Sequence, residues 1–225
     1  MIQQEAYMRT TERLTKFAQW TYETVCKGRQ MKTPAPGMDF TQIVKQEPSV
    51  YIGYYPMRLD ESGWQQMDEV NVAPGILIMP THSYVKYTEE KRFDRYNHVS
   101  RPQALGQGLN LQVLFSVYED GVRMPGFIRK WEKDQEFDLT LVREGTQDGL
   151  YTLLNWMDDF KTALLGQKMI PHTDLFLDEA SMTYGLYSDQ KYINDKRPLF
   201  YGFVNLGFQC YAEEGQNREI DKFLD

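Results

Sequence analysis

LNLQVLFSVY, residues Leu109 to Tyr118, is the clearest strand candidate in the sequence. Large apolar side chains alternate along it with mostly polar ones, and Leu114 is the exception. A period of two places alternate side chains on opposite faces of a β-strand. Asp120 and Gly121 follow and predict a turn. The stretch therefore predicts a strand that buries one face.

Further strands are predicted on both sides of this stretch. The run from Val72 to Met79 contains Pro74 and precedes Pro80, so we expect either a strand that begins at Gly75 or Ile76 or an edge strand. The other predicted strands are Val50 to Tyr55, Phe137 to Val142, Met182 to Tyr187 and Leu199 to Tyr211.

Two helices are predicted from apolar residues at steps of three and four. The first spans about Glu5 to Lys27, before Gly28, with Leu14, Phe17, Ala18, Thr21 and Val25 on one side. The second spans Gly149 to Leu165, with Asp148 as its cap and Gly166 at its end. Its apolar stripe is Leu150, Leu153, Leu154, Met157, Phe160 and Leu164. The order of elements predicts an α+β fold, a mainly antiparallel sheet with helices packed on one face.

Long polar segments interrupt these elements within what we interpret as a single domain, residues 1–225. Lys32 to Asp39 is rich in proline and glycine and predicts a loop. Residues 81–108 are predicted as a long loop insertion with a small hairpin around Tyr84 to Tyr87, and Gly106 to Asn110 as a turn. Residues 121–136 are a second charged insertion.

Composition excludes several classes of protein. The formal net charge of −7 argues against sequence-independent binding to phosphates, which needs a basic surface. Two cysteines, Cys26 and Cys210, do not make a disulfide framework and are expected to be reduced. No segment approaches the run of about 18 apolar residues that spans a membrane. The first residues do not resemble a signal peptide, so we expect synthesis and first use in a cytoplasm.

The sequence predicts no catalytic, cofactor-binding or metal site, and we expect that the protein is not an enzyme. His82, His98 and His172 lie in separate segments without a metal-ligand spacing. Asp158 and Asp159 are neighbours on one helix and cannot converge on a substrate, so we interpret them as a solvated face. Oxygen ligands for a cation are present in Asp174, Asp178 and Glu179, but their spacing is not that of a calcium loop.

The last predicted strand is apolar on both faces. One face carries Phe200, Val204, Leu206, Phe208 and Cys210, and the other Tyr201, Phe203 and Tyr211 with Asn205 and Gln209. Such a strand is covered either on both sides or by a neighbouring subunit, so Tyr201, Phe203 and Tyr211 are candidate interface residues. Arg92, Phe93 and Arg95, in KRFDRYNHVSR, predict a protein-contact loop or solvated hairpin rather than a single-stranded nucleic-acid site, because Asp94 interrupts them.

The order of PGILIMP, LNLQVLFSVYED, DGLYTLLNWMDDFKTALLGQKMI and the segment from Thr173 to Tyr211 resembles the tail-terminator, or tail-completion, proteins of tailed bacteriophages and prophages. Pro198, Leu199, Phe200, Tyr201, Gly202 and Phe203 match the signature that opens the last strand of that family. The resemblance covers roughly residues 70–80 and 109–211, with gaps. Residues 81–108 and 121–136 are insertions that depart from it.

The resemblance implies a structural virion protein without a cofactor. It implies a ring, typically a hexamer, that caps the tail tube, stops tube polymerisation and meets the neck connector and, in contractile tails, the sheath. DNA would pass through an acidic lumen without specific binding. The ring would be assembled in the host bacterial cytoplasm and found in the tail–neck region of the virion. The alternatives are another neck, connector or head–tail joining protein, a baseplate protein, and a small enzyme or ligand-binding module.

Overall fold

The computed structural model describes residues 8–35, 42–59, 65–67, 72–88, 103–119, 148–187 and 199–210. Helix α1 spans Thr10–Thr21 and continues into a π-helical turn at Tyr22–Cys26, and helix α2 spans Asp148–Gln167. The strands are β1 (Met31–Pro34), β2 (Ile43–Gln46), β3 (Ser49–Ile52), β4 (Met57–Leu59), β5 (Gln65–Met67), β6 (Gly75–Thr88), β7 (Gln103–Tyr118), β8 (Phe176–Leu186) and β9 (Leu199–Cys210).

Five strands form the main sheet, in the order β3-β6-β7-β9-β8. Strand β3 is parallel to β6, and every other neighbouring pair in this sheet is antiparallel. Strands β1 and β2 form a separate antiparallel pair, as do β4 and β5. The predicted class is therefore confirmed: an α+β fold with a mainly antiparallel sheet and helices on one face.

The core lies between the sheet and the two helices. Strand β7 contributes one complete set of alternating side chains, all buried: Leu109, Leu111, Val113, Phe115 and Val117. Strand β9 contributes Phe200, Val204, Leu206, Phe208 and Cys210. Helix α2 contributes Leu153, Trp156, Met157, Phe160 and Leu164. The ring of Phe17 from α1 meets the rings of Phe160 and Phe208 edge-on. The residues that alternate along the sequence of β7 and β9 are therefore the ones that pack against the helices in the core.

Two glycines let α2 lie close to β9. A Cβ at Gly202 would overlap the sulfur of Met157, and a Cβ at Gly149 would overlap the ring of Phe200. Gly149 and Met157 belong to the helix stretch of the phage resemblance, whereas Phe200 and Gly202 belong to its last-strand signature. The two motifs therefore contact each other, and their glycines serve helix–sheet packing.

The predicted first helix is confirmed over its described part, and the residues of its apolar side are all buried. It widens into the π-helical turn before Gly28, whose φ of 79° suits a glycine. The indole Nε1 of Trp156 donates a hydrogen bond to the carbonyl of Val25, 2.9 Å away, within that turn. This buried bond ties α2 to the end of the first helix.

A buried ion pair lies near the first turn of α1. Arg13 is fully buried, and its Nε and Nη2 donate to the two carboxylate oxygens of Asp174 at 2.8 and 2.5 Å. Asp174 lies just before β8, so the pair joins α1 to the segment that leads into the outermost strand. Charges this deep are tolerated only when they are paired and hydrogen-bonded.

Two predicted loops are strands in the structure. Met31–Pro34, at the start of the predicted loop from Lys32 to Asp39, forms β1 against β2. Strands β6 and β7 pair through residues 81–88 and 103–108 as a long hairpin ladder. Tyr84 to Tyr87 therefore lie within β6, and Gly106 to Asn110 lie within β7 rather than in a turn. The prediction was wrong because the proline-rich composition of the first stretch and the polar composition of the second do not reveal strands that are defined by pairing with a partner strand.

The end of α2 also differs from the prediction. The helix continues through Gly166 to Gln167, and the left-handed residue that follows is Lys168, with a φ of 56°. Residues 121–136 and the predicted strand from Phe137 to Val142 lie outside the described residues.

Candidate subunit interface

The sheet face that points away from the helices is called the open face here. Along β7 it carries Asn110, Gln112, Leu114, Ser116 and Tyr118, and along β9 it carries Leu199, Tyr201, Phe203 and Asn205. The apolar members gather towards the end where β7 finishes and β9 begins, and the amides lie towards the other end. The open face therefore has an apolar half and a polar half.

The chain itself partly covers the apolar half. One cluster joins Leu77 and Leu114 to Tyr55 and Val72, which lie beside β6. A second cluster joins Tyr118, Leu199 and Tyr201 to Ala73 and to Ile43 of β2. Burial in the first cluster raises the pKa of the Tyr55 hydroxyl to about 12.

Hydrogen bonds between side chains cross the polar half from strand to strand. The amide nitrogen of Asn110 lies 2.7 Å from Nε2 of His82. Gln112 donates to the Asn205 amide oxygen at 3.1 Å, and Asn205 donates to the Thr183 hydroxyl at 3.2 Å. These pairs connect β6 with β7, and β7 with β9 and β8, so side-chain hydrogen bonds link four strands across this half of the face.

Two of the predicted interface residues lie on this open face. Tyr201 is half-buried and packs with its own chain in the cluster of Tyr118 and Leu199. Phe203 is half-buried and lies across from Gly185 of β8, 3.4 Å from where a Cβ would stand there. The other predicted interface residues, Tyr211, Arg92, Phe93 and Arg95, lie outside the described residues.

The outermost described strand, β8, exposes large apolar side chains that sequence reasoning did not single out. Tyr184 is 60% exposed, and Phe176, Leu186 and Tyr187 are also exposed. The ammonium group of Lys161, from α2, lies 3.3 Å from the centre of the Tyr184 ring. At the opposite edge, β3 exposes Ile52 by 41%. Exposed apolar residues along the edge of a sheet are typical of surfaces that meet another chain.

The groups considered for other chemistry have structural partners. Asp174 pairs with Arg13, and Glu179 pairs with Lys168 at 2.9 Å. Within the described part of the chain, no group of three or more His, Cys, Asp and Glu residues is placed to hold a metal ion. Asp158 and Asp159 are exposed, as predicted, and form ion pairs with Lys161 and Arg29.

Both cysteines are free and buried. Burial raises the pKa of Cys26 to about 12 and that of Cys210 to about 11. Nucleophilic cysteines need the opposite shift, since the thiolate is the reactive form. The described site is therefore a surface of aromatic, aliphatic and amide side chains suited to contact.

No protein-family model matches the chain, and no curated protein matches it significantly. None of the helices in the described ranges is long and apolar enough to cross a membrane.

Proposed function

We propose that this protein is a phage tail terminator, a structural protein that forms a ring on the end of the tail tube. The observation that carries the proposal is the set of apolar side chains exposed at the two edges of the main sheet, Tyr184 and Leu186 on β8 and Ile52 on β3. Surfaces of this kind mark contacts with other chains. The contact between the two motifs of the resemblance, Met157 with Gly202, supports the same assignment.

The mechanism in this proposal is geometric. A surface on one subunit meets a different surface on the next, and the repeated rotation closes into a ring, with a hexamer as the expected number. One side of the ring matches the last ring of tube subunits and ends polymerisation. The other side receives the neck connector and, in a contractile tail, the ring also meets the top of the sheath. A chain of net charge −7 suits a lumen that DNA passes without binding.

The β6–β7 hairpin supplies an arm in this proposal. Within the described residues, β9 pairs with β7 as far as Gln107 and Cys210, and β6 pairs with β7 further out, through Thr88 and Gln103. The outer part of the β6–β7 ladder would contact a neighbouring subunit or the neck.

Purified protein added to polymerising tail-tube protein tests this function. We expect rings by negative-stain electron microscopy, density at one end of each tube, and a tube length that falls as the protein concentration rises. The control is Tyr151→Asp, an exposed position on α2, which should cap tubes like the wild type. Binding to the portal-side connector without binding to tubes would favour another neck component, and binding to neither would remove the proposal.

An enzyme or ligand-binding module is the alternative from a different class, and it has less support. The buried thiols have raised pKa values, and His82 contacts an amide rather than a nucleophile. The described groups therefore supply contacts more readily than acid–base or nucleophilic chemistry.

A further inference from the structure

The two edges of the main sheet, among the described strands, are complementary to each other. One row of side chains crosses the whole sheet on the helix side: Ile52, Ile78, Val113, Val204 and Tyr184. The three inner members are fully buried, whereas Ile52 and Tyr184 at the two ends are 41% and 60% exposed. The row is apolar throughout, but it ends in exposed side chains on both sides.

The neighbouring row on the same face repeats this arrangement. It runs Val50, Ile76, Phe115, Gly202 and Leu186. Leu186 at one end is 40% exposed, and Val50 at the other end is partly buried. If a second copy continues the sheet with its rows aligned to those of the first, Tyr184 of one copy lies next to Ile52 of the other. Leu186 of the first copy then lies next to Val50 of the second.

Strand direction favours the same arrangement. Strand β3 is parallel to β6, and each step from β6 to β7, β9 and β8 reverses the direction. Strand β8 therefore runs antiparallel to β3, and it would do so against β3 of a copy in the same orientation. Antiparallel pairing is the slightly more stable arrangement per residue.

The positions of the helices and the lengths of the edge strands are also compatible with a continuous sheet. Helix α1 packs against β3, whereas α2 lies over β7 and β9 and reaches β8 through Lys161 and Tyr184. A continuous sheet would thus place α2 of one copy beside α1 of the next. The pairing of β8 with β9 is irregular between Asp178 and Thr183, so the regular part of β8 facing the edge is residues 183–186. It has four residues, as β3 has.

We propose that β8 of one copy pairs with β3 of the next copy, antiparallel, and that this contact is the lateral interface between subunits. The occupant of the β8 edge is a second copy of this chain. The inference deepens the proposed function, on which it rests for the closure of the copies into a ring. The contact is head-to-tail, so an open row of subunits ends in one unpaired β3 edge and one unpaired β8 edge until the ring closes.

Two variants that each block one edge test the inference. Ile52→Asp blocks the β3 edge and Tyr184→Asp blocks the β8 edge, because a charge pointing into an edge contact opposes pairing. Each variant alone should associate about tenfold or more weakly than the wild type. An equal mixture should form a one-to-one dimer, since one intact β8 edge then meets one intact β3 edge, and should grow no further.

Light scattering after size exclusion measures these states, with Tyr54→Asp as the control because Tyr54 is exposed beyond the end of β3. A mixture that remains monomeric, single variants that assemble like the wild type, or a wild type that is monomeric would each overturn the inference. A disulfide cross-linking experiment mixes Ile52→Cys chains with Tyr184→Cys chains under oxidation. The disulfide dimer should form only in the mixture, and its absence there would count against the contact.

The outcomes separate this inference from the proposed function. Wild-type rings that cap tubes, together with a mixture that stays monomeric, would leave the function standing and remove the β8–β3 contact. A mixture that dimerises, with a wild type that binds no tube, would establish the contact and remove the tail-terminator function.

Discussion

The sulfur of Met157 lies against the backbone of Gly202, in the space that a Cβ at this position would occupy. This contact sets the distance between α2 and β9. Because Gly202 also lies in the same row as Leu186 of β8, it connects the core to the edge that we assign to subunit contact.

Gly202→Ala should destabilise the protein by about 1–3 kcal/mol, because the added methyl group forces Met157 or the helix to move. Chemical denaturation followed by circular dichroism measures the loss. Adding Met157→Ala should cancel part of the overlap, so the two substitutions should be non-additive. Gly166→Ala is the matched control, since a Cβ there meets nothing within 4 Å, and it should be neutral or stabilising. A Gly202→Ala variant as stable as the wild type would contradict the close packing.

Trp156→Phe should cost about 1–3 kcal/mol, because the buried carbonyl of Val25 loses its donor. Urea denaturation is the measurement. Trp20→Phe is the comparison, because the Trp20 indole donates to Gln167 in an exposed bond that water can replace. We expect a clearly smaller loss of stability for Trp20→Phe. Equal losses would show that the buried Trp156–Val25 hydrogen bond contributes no more to stability than the exposed one.

Asp174→Asn should destabilise the protein by about 3–5 kcal/mol, because it removes the negative charge that faces the buried guanidinium of Arg13. Thermal unfolding follows the effect. Glu23→Gln removes the carboxylate of an exposed ion pair with Lys27 and should leave the midpoint near that of the wild type. If Asp174→Asn were equally mild, the pair would not hold α1 in place.

Stability should fall as the pH rises above about 9, in part because Cys26 is buried. The pKa of its thiol is about 12 in the folded protein, above the value near 8.5 for a free cysteine. Between these values the unfolded chain loses a proton that the folded protein retains, so the free energy of unfolding decreases with pH by at most about 1.4 kcal/mol per unit. Cys26→Ala should flatten the decrease, measured by urea midpoints from pH 8 to pH 10. An unchanged slope would refute the assignment.

Phe203→Asp should weaken self-association while the subunit stays folded, because Phe203 packs against Gly185 of β8, the strand that we assign to the subunit contact. Tyr201→Asp is a harsher change, because Tyr201 packs with Tyr118 and Leu199 in its own chain. We expect it to cost about 2 kcal/mol or more of subunit stability as well. Sizing together with thermal unfolding distinguishes the two effects. Unchanged assembly of Phe203→Asp would confine the subunit contact to the strand edges.

The part of the fold that the sequence predicts is the part with a local period. The alternating residues from Leu109 to Val117 are buried as expected, because one side of the strand faces the core. The predicted stripe of α2 is buried at Leu153, Met157, Phe160 and Leu164, but Leu150 is only partly buried and Leu154 is exposed. Trp156 was not included in the predicted stripe, although it follows Leu153 by three residues and is fully buried. Its polar indole nitrogen is satisfied by Val25, a partner that the spacing of residues does not reveal.

The remainder depends on contacts between distant residues. The outer parts of β6 and β7 are polar, so only their mutual pairing identifies them as strands. Tyr184 and Val204 look alike as apolar strand residues, yet one is exposed and the other is buried. The difference arises because β8 is the outermost described strand, whereas β9 has a neighbour on each side. The position of a strand within the sheet cannot be read from the residues of that strand alone. The buried charge of Arg13 likewise needs Asp174 as its partner.

The contacts of α1 also have a consequence during synthesis. Its buried residues Arg13 and Phe17 pack against Asp174 and Phe208, which are translated much later. At ordinary rates of translation the gap is on the order of 10–40 s. During this interval the nascent helix lacks these two contacts, although its contact with β3 can form earlier. The packing of α1 is thus complete only after β9 has been translated, and the delay gives chaperones a window in which to act.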